Sequence, residues 1–178
     1  MTFKQRLVWI AGIFIVLTGV SCQQNMALQS EAYKRSHIAS MYEQYAEEFP
    51  LVESITVEYF QQLQQQGKKM VLVDVRSPEE REVSIIPGAI SVEEFEVNLP
   101  QYKNGDATII AYCTIGYRSG KYARKLKQQK INILNLEGSL LAWSHVRGKL
   151  VDSAGLTRKV HVFGRKWNLT AEDYEPVW

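Results

Sequence analysis

The sequence predicts an α/β fold in which a central parallel sheet is flanked by helices. Three observations carry that expectation. Apolar runs of strand length recur at 70–75, 107–112 and 131–136. Segments of helical pattern follow the last two, at 119–129 and 138–146. The run Met70-Val71-Leu72-Val73-Asp74-Val75 is apolar at consecutive positions and ends in polar residues. A strand buried on both faces has that pattern, with its functional groups at the C-terminal end. Strands that alternate with helices pair in parallel through right-handed crossovers.

The elements follow in order. Lys4 and Arg6 precede Leu7 to Val20, an uncharged apolar run of 14 residues, shorter than the roughly 20 needed to span a bilayer. Small residues Gly19 and Ser21 then lead to Cys22. This order of basic, apolar and small residues is that of an export signal. Gln23 to Ser30 reads as a tether, and Glu31 to Phe49 as a helix stopped by Pro50. Its stripe Tyr33, His37, Met41, Tyr45 and Phe49 is read as a packing face. Ser54-Ile55-Thr56 is a short strand or helix entry, Val57 to Gln66 a helix ending at Gly67, and Arg76 to Glu80 a loop and helix start. Ile86-Pro87-Gly88-Ala89-Ile90 is a turn into a short strand, and Glu93 to Tyr102 a weak helix ended by Asn104-Gly105. Trp143, in the last helical segment, is read as core. The tail from Val151 carries Phe163, Trp167, Tyr174 and Trp178. It is expected to pack on the domain, with partner binding or substrate gating as the functional alternative. The expected organisation is therefore a signal peptide, lipoprotein signal or membrane anchor over 1–22, a tether and helix over 23–51, the α/β domain over 52–152 and an extension over 153–178.

Charge and cysteine usage narrow the function. The chain has 21 basic and 19 acidic residues. Lys4 and Arg6 are the only charged residues among the first 21, so the remainder carries 19 of each sign. A neutral body has no electrostatic footprint for nucleic acid. Of the two cysteines, Cys22 lies at the end of the export segment, which leaves Cys113 without an internal disulfide partner. A lone thiol in an exported domain calls for a reason, and catalysis supplies one. Cys113 stands between a strand run and a helix run, where backbone N–H groups converge and the helix dipole is positive. That environment favours the thiolate and makes Cys113 a candidate nucleophile. The main-chain N–H groups of Thr114, Ile115, Gly116, Tyr117 and Arg118 are expected to face its sulfur, with Gly116 permitting the turn. Tyr117 and Arg118 are expected at the pocket mouth. Arg118 has two readings, contact with an anionic donor or a salt bridge to a carboxylate. Ser119 is read as the cap of the following helix. His37, His145 and His161 have no ligand spacing with Cys113, so no metal site is expected.

Four landmarks together resemble a single rhodanese domain. They are Val71-Leu72-Val73-Asp74-Val75-Arg76, Ile86-Pro87-Gly88-Ala89, Cys113-Thr114-Ile115-Gly116-Tyr117-Arg118-Ser119, and Asn135-Leu136-Glu137-Gly138-Ser139-Leu140-Leu141-Ala142-Trp143. The resemblance covers about residues 52–152. It implies a three-layer sandwich with the cysteine loop at the C-terminal edge of a parallel sheet. It also implies a sulfurtransferase in which Cys113 takes a sulfane sulfur from a small-molecule donor such as thiosulfate. The sulfur passes to cyanide or a thiol through a persulfide, without a separate cofactor. Residues 114–119 would form the persulfide and substrate loop, and Asp74 and Arg76 an ion pair bracing the site. Two positions depart from the family pattern: Ile85 stands where histidine is frequent, and Gly138-Ser139 where Gly-Gly is. Both look structural.

Two other functions fit the same residues. One is a non-catalytic or persulfide-carrying module that binds an envelope protein. The other is a cysteine phosphatase, disfavoured because four residues separate Cys113 from Arg118 where phosphatases have five. The segment Leu17 to Gln24 looks like a bacterial lipoprotein signal with Cys22 as the lipidated residue, although Gly19 occupies a position usually held by leucine. Ordinary cleavage and an uncleaved anchor remain alternatives. All three place the domain in the bacterial cell envelope, on the periplasmic side, and the expected form is tethered to the membrane through its N-terminus.

Overall fold

Five parallel strands form the central sheet of the computed structural model, which describes residues 30–103 and 105–178. The chain separates into two units, Met1–Tyr33 and Lys34–Trp178. Of the first, only residues 30–33 are described, and they are helical. The export segment and Cys22 lie outside the described residues. Among the described residues, no helix is long and apolar enough to cross a membrane.

The sheet is built from β1 (Ser54–Ile55), β2 (Met70–Asp74), β3 (Ile90–Ser91), β4 (Thr108–Tyr112) and β5 (Leu134–Leu136), in the order β1-β5-β4-β2-β3. All four pairings are parallel, which requires a crossover between neighbours and explains the alternation read from the sequence. Asp74 pairs with Tyr112, so the two central strands end level with each other, immediately before Cys113. The apolar residues of β2 and β4 divide between two faces. Leu72, Ile110 and Tyr112 join one buried cluster with Phe60, Leu136, Leu140 and Trp143. Val73, Ile109 and Ala111 join the other with Phe95, Ala123 and Leu126. Burial on both faces is what a continuous apolar strand demands.

The helices are set by local chemistry. Helix α1 covers residues 30–46. Thr56 caps α2 (Val57–Gln65) by accepting from Tyr59 N–H at 3.2 Å. A reciprocal capping box of Ser77 and Glu80, with Pro78 in the first turn, starts α3 (Pro78–Val83). Ser91 and Glu94 do the same for α4 (Val92–Val97). The single helix expected over 93–102 is two, α4 and α5 (Leu99–Lys103). Asn98 leaves helical geometry and its side chain returns to Glu94 O at 2.8 Å. Pro100, without an N–H, fits the first turn of a new helix and not the interior of an old one. Helices α6 (Tyr117–Gln128) and α7 (Ser139–His145) follow β4 and β5.

The packing face of α1 differs from the expected stripe. Tyr33 is 64% exposed and His37 is exposed, whereas Ile38, Tyr42 and Phe49 are buried and Met41 and Tyr45 half-buried. Counting by fours drifts off a helix that turns every 3.6 residues, and the spacing 38, 41, 42, 45 follows the true face. Trp143 is core, 3% exposed, with its indole N–H donating to Lys149 O at 3.0 Å.

The tail forms a short antiparallel pair, β6 (Leu150–Asp152) with β7 (Gly155–Thr157), and a parallel pair, β8 (Lys159–His161) with β9 (Glu175–Val177). Val160, Val162, Leu169, Ala171 and Tyr174 are buried in the same cluster as Ile110 and Leu136. The extension thus shares the core of the sheet.

Candidate active site

Cys113 directly follows β4, and its backbone is held from below. Its N–H donates to Ser139 Oγ at 3.1 Å, and its carbonyl accepts from Leu140 N–H at 3.3 Å. Thr114 O accepts from Leu141 N–H at 3.1 Å. Ser139 occupies a left-handed backbone position, φ 45°. The hydroxyl that distinguishes it from the family's second glycine also donates to Leu136 O at 3.0 Å.

The sulfur sits in a buried turn. Gly116 N–H donates to Cys113 Sγ at 3.1 Å and Ser119 Oγ–H at 3.6 Å. Burial pushes the thiol up, but the Ser119 amide and hydroxyl, the Gly116 amide and the Arg118 charge outweigh it and bring the thiol below its ordinary range. Gly116 has φ 106° and stands as the residue before α6. The cap expected of Ser119 is not its role. The helix starts at Tyr117, so Ser119 lies inside the first turn, fully buried, with its hydroxyl turned to the sulfur. Thr114 and Ile115 are buried beside Cys113, at 1% and 4% exposure.

Tyr117 and Arg118 are partly exposed. The Tyr117 ring packs on Tyr45 and Phe49, with centroids at 5.1 and 5.8 Å. Arg118 takes the second of its two readings. Its guanidinium binds Glu80 through two hydrogen bonds of 2.6 and 2.7 Å, touches Thr114 Oγ1 at 3.4 Å and lies 5.1 Å from the Phe163 ring centre. His161 Nδ1 approaches the same carboxylate at 3.5 Å. Two tail residues therefore border the site. His145 is turned to Leu169 O, 2.8 Å from its Nε2.

Asp74 and Arg76 form a second, fully buried pair. Arg76 donates from Nη2 to Asp74 Oδ2 at 2.6 Å and from Nε to Oδ1 at 2.9 Å. Tyr112 O–H donates to Asp74 Oδ2 at 2.6 Å, and Arg76 also reaches Glu80 O and Ser84 O at 3.2 and 2.6 Å. Burial opposes the Arg76 charge, but the bonds to Asp74 outweigh it and hold the guanidinium protonated.

Glu80 was not among the site residues expected from sequence. Its capping-box spacing after Ser77 was visible, but nothing local pointed to Arg118, 38 residues away. Burial pushes its carboxyl up, and the bonds from Arg118 and Ser77 N–H outweigh that and hold it below the usual range. A depressed carboxylate stabilises the fold above its unfolded-state pKa, and the effect is lost as pH falls through the folded-state value. Glu80→Gln should therefore cost about 1–3 kcal/mol near neutral pH, with the difference closing in acid. Urea unfolding of both proteins at the two pH values reads this directly, and equal midpoints at neutral pH would remove Glu80 from the support of the loop.

The chain is similar to known proteins. The chain is 24% identical over 153 residues to the probable molybdopterin-synthase adenylyltransferase of Porphyra purpurea, which covers 78% of this chain and 40% of that one. It thus spans less than half of that relative's length. A sulfurtransferase of Allochromatium vinosum is 29% identical over 96 residues, covering 53% of this chain and 90% of its own. Among solved structures, the thiosulfate sulfurtransferase of Pseudomonas aeruginosa superposes with a TM-score of 0.55 at 22% identity, over 71% of this chain and 25% of that one. That likeness is one of fold. The family model for the rhodanese-like domain matches residues 56–145, just over half of the chain and the stretch from the α2 cap to the end of α7. On that match the chain belongs to the rhodanese-like domain family.

Proposed function

We propose that this protein is a sulfurtransferase that carries sulfane sulfur as a persulfide on Cys113. The observation that carries the reading is the sulfur's setting: a buried thiol drawn towards thiolate by the Gly116 and Ser119 amides. The name of the Allochromatium relative supports it at family level. With thiosulfate as donor, the Cys113 thiolate attacks the outer sulfur, a new S–S bond forms, and the donor's S–S bond breaks with its electron pair leaving on sulfite. The persulfide anion keeps one negative charge, which inward N–H groups stabilise without a full cation. Cyanide or a thiolate then attacks the outer sulfur and the Cys113 thiolate leaves, closing the cycle. In this reading Arg118 acts through its charge and its bond to Glu80, and Asp74 with Arg76 braces the strand ends.

We also propose that residues 1–22 direct export and tether the domain to the bacterial envelope membrane. One measurement tests both parts. Intact-mass analysis of protein from the envelope, after incubation with thiosulfate, should show the mass of one added sulfur in the wild type and none in Cys113→Ala. Acyl mass on Cys22 in the same spectrum reads the lipoprotein form. Wild type without added sulfur, and without cyanide-dependent thiocyanate, overturns the sulfurtransferase reading.

A second reading is a carrier that delivers its persulfide to a protein thiol. It is favoured by the 1% exposure of Cys113, which limits access. Single-turnover thiocyanate formation without sustained turnover would select it. Aryl phosphate hydrolysis is not expected, because Arg118 is committed to Glu80.

A further inference from the structure

Three glycines near the sulfur each leave room for one side chain of the N-terminal segment. A Cβ on Gly116 would meet the Tyr42 ring at 2.6 Å, one on Gly120 the Phe49 ring at 2.6 Å, and one on Gly138 both Ala142 Cβ at 2.6 Å and Ile38 Cγ2 at 2.7 Å. At contacts that close, any side chain added there forces its neighbour or the backbone to shift. Ile38, Tyr42 and Phe49 are all buried, and all precede residue 56, where the family match begins. The segment is seated into the start of α6 and α7 and not merely laid over them.

Tyr42 also reaches the sulfur cradle by hydrogen bonding. Asn135 Nδ2 donates to Tyr42 OH at 3.3 Å and to Gly116 O at 2.9 Å, and Gly116 N–H in turn donates to Cys113 Sγ. Ser54 Oγ–H donates to Glu137 Oε1 at 2.5 Å. Burial raises the Tyr42 hydroxyl to about 12, so it stays neutral and accepts from Asn135 across the ordinary pH range. Asn135 is 2% exposed, and its Oδ1 has no hydrogen-bond partner. Its hold on the loop therefore runs through the amide nitrogen that Tyr42 and Gly116 share.

We propose that Tyr42 is a positioning residue of the sulfur site, holding Gly116 through Asn135 where its amide meets Cys113. The proposal rests on the sulfurtransferase reading only for what the sulfur carries, since thiolate stabilisation is measurable without a donor. The experiment is the pH dependence of iodoacetamide alkylation, followed at the Cys113 peptide by mass spectrometry in the full chain. Tyr42→Phe leaves the ring in its notch and the sulfur dry, so the loosened amide is the main change. The alkylation midpoint should rise by about half a unit, with about threefold slower alkylation at neutral pH. Asn135→Ala should shift it at least as far, and the double variant no further than Asn135→Ala alone, because the two act in series. A Tyr42→Phe profile that coincides with wild type overturns the proposal, as do shifts that simply add. If wild type loads no sulfur while the alkylation profiles shift as stated, the sulfurtransferase reading fails and the positioning role stands.

Discussion

Asp74→Ala should destabilise the protein by about 3–5 kcal/mol, the cost of leaving a buried charge without its partner. Both members of the Asp74–Arg76 pair have fully buried side chains. Asp74 accepts from the Arg76 guanidinium, the Arg76 N–H at 3.1 Å and the Tyr112 hydroxyl. Its removal strands a guanidinium and a phenol, each deprived of water. Arg76 would keep its bonds to Glu80 O and Ser84 O, and the Tyr112 hydroxyl the one it accepts from Ile86 N–H. Against a total stability of about 5–15 kcal/mol, that loss is large. The pair need not favour the fold over an apolar pair of similar volume. Asp74→Leu combined with Arg76→Met should cost clearly less than the sum of the two single changes. Urea unfolding of wild type, the two single variants, the double variant and Asp74→Ala gives the comparison, and an Asp74→Ala loss under about 1 kcal/mol would mean that water reaches Arg76 after all.

How far the site could be read in advance depended on the distance over which its contacts act. The cysteine turn was visible because it is local. A strand run, Cys113, a glycine three residues on and a helix run lie within one short stretch, and the structure puts Gly116 N–H on the sulfur. The strands β2 and β4 were visible as apolar runs, whereas their register, which ends them level at Asp74 and Tyr112, came only with the structure. Ser119 was misassigned because the helix begins behind a left-handed glycine with no side-chain cap, and helix starts without caps leave no polar signal. Glu80 with Arg118, and Tyr42 with Asn135, were out of reach for another reason. Each pair is made by packing across 38 or 93 residues, and a single sequence carries no periodicity that ties such positions together. That the tail packs on the domain was expected, but not its strands, which are three residues each and too short to show alternation.

Gly116→Ala should lower the rate of sulfur loading by about a hundredfold, the order found when one donor is removed from an anion-stabilising pocket. Two independent effects act at that residue. Its φ of 106° lies where an L side chain strains the backbone, at a cost of about 1–2 kcal/mol. The new Cβ would also fall 2.6 Å from the Tyr42 ring. That ring is buried and 7% exposed, so it cannot swing into solvent to make room, and overpacking of this kind costs about 1–3 kcal/mol. The turn must therefore shift, and the amide that moves is the one on the sulfur. The two causes separate in a double variant. Tyr42→Ala on the Gly116→Ala background removes the collision but not the strained φ, so the double variant should lose less thermal stability than the two single changes added together while sulfur loading stays low. Loading by Gly116→Ala at the wild-type rate, measured by mass against thiosulfate, would show that the persulfide does not depend on this amide and would leave the Ser119 contacts as its support.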